Sequence, residues 1–150
     1  YVFDYPDAGD TFYLSNGVPK HRLVATGIYG LPWDVTLSAK LILETPTPRS
    51  ATNCFDAPSN DNCFFDPYER SETIGFKQFD IALQKVWDTG TDLKFKVRAD
   101  LFNAFNWRNW TDFDDWRGGP GVANPNFGQR SGNGILWPTR TFKLSLGFDW

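Results

Sequence analysis

Three groups of residues in this 150-residue chain have types and spacings that could do chemistry. The first is a cluster in one stretch, Trp107, Trp110 and Trp116 with Asp112, Asp114 and Asp115. Indole faces stack on sugar rings and carboxylates accept their hydroxyls, so the cluster could hold a carbohydrate ligand. The acids could also offer oxygens to Ca²⁺, but Asp112-Phe113-Asp114-Asp115 lacks the central Gly and distal Glu of an EF-hand loop, and a calcium site is weakly supported. Interfacial aromatics topped by solvated acids account for the same residues with no ligand, and both readings stay open. The second group is Cys54 and Cys63, with no His nearby and no further Cys pair, so a metal site lacks ligands. A local disulfide, closing a short loop in an oxidising compartment, is the expected use. The third is His21, the one histidine, which has no Ser or Cys nucleophile motif around it and reads as a rim residue, not a catalytic base. Asn109-Trp110-Thr111 matches a glycosylation sequon that would be idle in a bacterium. Gly118 to Gly121 reads as a flexible turn, since a phosphate loop would add Lys-Ser/Thr and a helix.

Composition limits what elements can carry these residues. Aromatics make up 17% of the chain while mean hydropathy is −0.43. Large aromatics on a polar average suit a protein that shows rings to lipid and polar groups to water, or a soluble β-sandwich with an aromatic core. A net charge of −3 disfavours sequence-independent nucleic-acid binding, which needs a basic footprint. No run approaches the roughly 18 apolar residues of a membrane-spanning helix. The chain opens on Tyr1-Val2-Phe3 with no export signal, which suggests a mature segment or, more simply, a fragment.

Period-two alternation is the dominant pattern, and it predicts strands. It is clearest in Thr141 to Trp150, where Phe142, Leu144, Leu146, Phe148 and Trp150 alternate with Thr, Lys, Ser, Gly and Asp. Leu93, Phe95, Val97, Ala99 and Leu101 alternate likewise with charged residues, and Val35 to Leu43 repeats the pattern. Residues 1–19 read as loop, with strands expected near 20–31, 35–44, 75–87, 92–106 and 139–150. Pro32-Trp33-Asp34 and Asp88 to Thr91 read as tight turns, and 45–73 and 107–138 as long loops. Asp80, Lys96, Arg98 and Asp100 would form a charged lattice on the polar side, or ion pairs of no consequence.

Connections thus alternate long and short. Outer-membrane barrels place short turns on the periplasmic side and long loops outside, and about ten residues suffice for a tilted spanning strand. Five strands cannot close a barrel in lipid, where an open edge leaves backbone groups unpaired at several kcal/mol each. Further strands are therefore expected from a longer chain.

Asp100-Leu-Phe-Asn-Ala-Phe-Asn106, then Asn124-Pro-Asn-Phe-Gly-Gln-Arg130 and the aromatic-ended last strand, resemble in order the C-terminal end of a TonB-dependent outer-membrane receptor of the Oar-like type. His21 to Trp33 resembles a strand and turn upstream in such proteins, so the similarity covers roughly Lys20 to Trp150. The family ends on Phe where this chain has Trp150, and no plug domain or TonB box is present. The resemblance implies the C-terminal part of a transmembrane β-barrel in the cell outer membrane of a Gram-negative bacterium. The parent receptor would import a large or scarce solute, energised by TonB through the missing plug, without enzymatic activity, cofactor or metal. Expected partners are outer-membrane lipid, the remaining barrel strands and plug, and the barrel-insertion machinery, which would read Phe142, Leu144, Leu146, Phe148 and Trp150 as an assembly signal. The rival expectation is a soluble carbohydrate-binding sandwich that uses the loop tryptophans.

Overall fold

The computed structural model describes residues 17–56, 63–132, 134 and 139–150. They form β1 (Arg22–Leu31), β2 (Val35–Glu44), β3 (Arg49–Asn53), β4 (Phe64–Tyr68), β5 (Phe76–Asp88), β6 (Lys94–Phe102), β7 (Trp116–Gly119), β8 (Val122–Ala123) and β9 (Thr141–Asp149), with no helix among the described residues. The chain divides into two compact units, each built on one sheet.

The larger sheet runs β1-β2-β5-β6-β9, antiparallel throughout. All five strands expected from alternation are present, within a few residues of their expected ends. The largest difference is at 92–106, where β6 stops at Phe102. There Asn103 and Asn106 take left-handed backbone angles of 47° and 53°, which Asn tolerates better than most residues and which end the strand. The buried Asn103 amide exchanges two hydrogen bonds with the Trp107 backbone, at 2.8 and 2.9 Å, and Asn106 Oδ1 accepts the Arg140 N–H. The Asn-Ala-Phe-Asn motif is therefore a self-bonded corner. At the opposite end β1 turns into β2 through Pro32-Trp33-Asp34, with Trp33 and Asp34 at φ of 63° and 55°. The β5–β6 turn is closed by Asp88 Oδ1, which accepts the Gly90 N–H.

The stretches expected to be long loops, 45–73 and 107–138, hold the second sheet, in the order β4-β3-β7-β8. The strands are short and carry Asn, Gly and Pro, so period-two patterning does not reveal them. They pair across the chain: β3 runs parallel to β7 with an irregular register at Thr52 and Asn53, a departure from the all-antiparallel expectation. Ala51 is fully buried, and Asn53, 2% exposed, folds its carboxamide over the backbone N–H groups of Phe55 and Asp56. The Cys54–Cys63 disulfide, expected from the sequence, sits one step beyond the Asn53–Phe64 pair and staples β3 to β4. The Gly118 to Gly121 stretch turns β7 into β8, which pair antiparallel. Gly118 has φ 132°, and a Cβ there would collide with the Val122 carbonyl. Residues 1–16 of the expected first loop lie outside the described residues.

Candidate functional site

Pleating sorts the side chains of the five-stranded sheet onto two faces. One carries, row by row, Tyr29, Leu37, Leu83, Ala99 and Leu144, then Gly27, Ala39, Ile81, Leu101 and Phe142, with Leu41 and Phe79 above and Val97 and Leu146 below. This apolar face is open on the edge strands, where Tyr29 is 66%, Leu144 59% and Leu146 66% accessible, and half-buried over most of β2, β5 and β6. Aromatic rows border it. At the short-turn end Trp87, Phe95 and Phe148 form a ladder across three strands, with ring centroids 5.5 and 5.2 Å apart. At the other end Phe79, Phe105 and Trp107 stack in series at 5.1 and 4.9 Å.

The opposite face is mostly polar, although Val24 and Ile28 of β1 are exposed on it, and it holds the buried groups of the sheet. Asp100, 8% exposed, accepts from Arg98 Nε at 2.8 Å, while Ile42 and Ala82 are buried beside the charged rows. Asp80 accepts from Gln78 Nε2 at 3.0 and 2.8 Å and from the Asn103 N–H at 2.9 Å, so it fastens the corner to the sheet. Lys96 pairs with Asp149 across β6 and β9, and Arg22 with Glu44 across β1 and β2. The four residues expected to form one lattice thus occupy three separate contacts on one face. A groove of about 470 Å³ on this face is walled by Ile42, Phe102 and Asn103, with Lys40 at its side. Asn109 is 5% exposed, and its carboxamide exchanges hydrogen bonds with both backbone groups of Lys77, at 2.9 and 3.0 Å. The sequon's acceptor nitrogen is occupied.

The residues proposed for a ligand are placed individually. Trp107 belongs to the sheet unit, packed on Phe105. Trp110, Asp112, Asp114 and Trp116 belong to the smaller unit. There Trp110 lies under the Arg130 guanidinium, 4.8 Å from its ring centre. Asp112 accepts the Gly134 N–H, and Asp114 accepts the Trp116 N–H and the Asn124 amide at 3.0 and 2.9 Å. Each of these carboxylates holds its own loop. Trp116, 49% exposed, keeps a free indole surface. His21 is exposed and bonds to Thr45 through its backbone. Among the described residues no group of His, Cys, Asp and Glu could hold a metal ion.

The most highly organised side chains of the smaller unit were not foreseen. Arg49 donates to both Asp115 oxygens, with Nε at 2.9 and 3.2 Å and Nη2 at 2.5 Å, and the Tyr68 hydroxyl donates to the same carboxylate. Burial pushes the Asp115 pKa up, but the hydrogen bonds from Arg49 and Tyr68 outweigh it and the net shift is down. Burial and the Asp115 charge together push the Tyr68 hydroxyl up to about 12. Phe113, 7% exposed, lies between Arg70 at 4.1 Å and Arg49 at 5.6 Å, in cation–π range. Arg117 Nε comes within 2.7 Å of Asp66 but is misaligned for a hydrogen bond, so charge alone holds that pair. Arg49 and Asp115 are 66 residues apart, so no local spacing could have linked them.

No family model, curated protein or solved structure matches this chain.

Proposed function

We propose that this chain is part of the wall of an outer-membrane β-barrel, with the apolar face of the five-stranded sheet toward lipid and the polar face toward the lumen. One observation carries the reading: the sheet is inverted, with its apolar side chains accessible and its charged face holding the buried groups Asp100, Ile42 and Ala82. Water penalises such an arrangement, whereas a barrel in lipid requires it. The aromatic rows at both ends suit the two interfaces. A soluble sandwich would need a second layer on the apolar face, and Leu144 and Leu146 are exposed instead. Among the described residues β1 and β9 each have one unpaired edge, which lipid does not tolerate. The wall is then completed by strands of a longer parent chain.

The resemblance of Asp100–Asn106, Asn124–Arg130 and β9 to a TonB-dependent receptor makes that family the best candidate for the parent. In that role the five-stranded sheet completes part of the barrel wall. β9 and the Trp150 that follows it serve as the segment that the insertion machinery engages, through Phe142, Leu144, Leu146, Phe148 and Trp150. The parent imports its solute; this segment does no chemistry. The test is to express the natural open reading frame that encodes the segment and fractionate the cells. A band in the outer-membrane fraction that changes mobility on heating supports the proposal. Recovery in the soluble fraction, monomeric without detergent, sinks it.

A further inference from the structure

The apolar face of the sheet carries two cations among its aliphatic and aromatic residues, Lys77 and Lys85, both on β5. Each lies beside an indole of the same unit: Lys77 Nζ is 5.6 Å from the Trp107 ring centre, and Lys85 Nζ is 5.7 Å from that of Trp87. Neither has an ion pair among the described residues. They sit eight residues apart on one strand, so they face the same side, with Phe79, Ile81 and Leu83 between them. At about 3.3 Å per residue that is about 26 Å along the strand. A strand tilted by roughly 40° spans about 20 Å along the membrane normal over this length. Lysine stems then extend the ammonium groups outward at each end, toward the edges of an apolar band about 25 Å tall.

An unpaired ammonium on a lipid-facing surface is expensive unless it reaches an anion at the interface. Resting on the membrane-wall reading above, we infer that Lys77 with Trp107 and Lys85 with Trp87 are two lipid-headgroup sites, one per leaflet, each binding the phosphate of an anionic lipid. The indole face holds the lysine stem and partly offsets its charge, while the ammonium donates to phosphate oxygens. The occupant is a lipid and not a free anion, because the same patch that carries each cation continues into the aliphatic rows that would cover an acyl chain. Leu43 is paired with Lys77, and Val35 and Val97 with Lys85.

The experiment uses the protein made from its natural open reading frame, extracted in detergent and titrated with phosphatidylglycerol, with retained lipid counted by native mass spectrometry. Lys77→Gln and Lys85→Gln should each weaken phosphatidylglycerol retention by about fivefold, as for loss of one cation at an anionic surface, and Lys→Arg at each position should restore it. Heat-dependent mobility verifies that the variants fold. Undiminished retention by the double Gln variant overturns the inference and leaves the membrane reading standing. Inorganic phosphate that displaces the lipid at equal concentration also overturns it, by making the sites general anion sites. Failure of the unsubstituted protein to enter vesicles, whether phosphatidylcholine alone or mixed with phosphatidylglycerol, overturns both.

Discussion

Single residues of the smaller unit do their work through geometry that is easily perturbed. Asp115 is held below the ordinary carboxylate range, so its contribution to stability is fully present above the unfolded value near pH 3.9 and is lost as pH falls through the lower folded value. Tyr68 is the opposite case: its folded value of about 12 lies above the unfolded 10.0, so its contribution holds below pH 10 and is lost between pH 10 and about 12. An acid titration followed by near-UV circular dichroism should therefore show a low-pH transition that Asp115→Asn removes, while Tyr68→Phe removes the alkaline one. An unchanged acid limb in the Asp115 variant would contradict this assignment. Gly118→Ala should be among the most damaging small substitutions, by roughly 2 kcal/mol or more, because it combines a left-handed φ with a collision against the Val122 carbonyl. Chemical denaturation of the variant checks it.

Among elements, the β3–β4 hairpin and the five-stranded sheet make separable predictions. The hairpin has short strands and depends on its staple, so reducing Cys54–Cys63 should destabilise the smaller unit by about 2–3 kcal/mol. Faster amide exchange over Phe64 to Tyr68, with β5 and β6 unchanged, is the expected signature. For the sheet, the row of Ile81 lies midway between Lys77 and Lys85. In a membrane Ile81→Arg should cost about 2–4 kcal/mol, whereas Leu146→Arg, in the row of Lys85, should cost about 0–1. Urea unfolding from vesicles measures both, and equal costs would argue against a depth-dependent environment. Ser145→Arg, one residue away on the polar face, should be tolerated.

For the molecule as a whole, the edges of β1 and β9 that stay open among the described residues bound what this chain can do alone. Ten residues of β1 are exposed throughout, a long flat edge that in water would invite aggregation. If the proposed membrane-wall role holds, this chain by itself should aggregate without detergent, while the longer protein proposed to contain it should run as a monodisperse particle in detergent; size-exclusion chromatography of the two distinguishes these outcomes.

The five main strands were legible because period-two alternation is a local property, imposed residue by residue wherever a sheet separates two environments. Val35 to Glu44 matches its expected bounds for that reason, and Cys54–Cys63 was legible because the partners are close in sequence and nothing else competes for them. The corner at Asn103 blurred the end of β6, since apolar residues Phe102, Ala104 and Phe105 continue past Leu101 while the backbone has already turned. The second sheet, the Arg49–Asp115–Tyr68 cluster and the engaged carboxylates of Asp112 and Asp114 were not legible. They depend on contacts between stretches tens of residues apart, and Gly, Asn and Pro leave no period to read. The sequence by itself determined which side of β2, β5, β6 and β9 is apolar, and left β1, with Val24 and Ile28 on its other side, ambiguous. The tertiary structure decided that these sides, with that of β1 bearing Tyr29, align into one apolar face, because register aligns them and register is set only when strands pair.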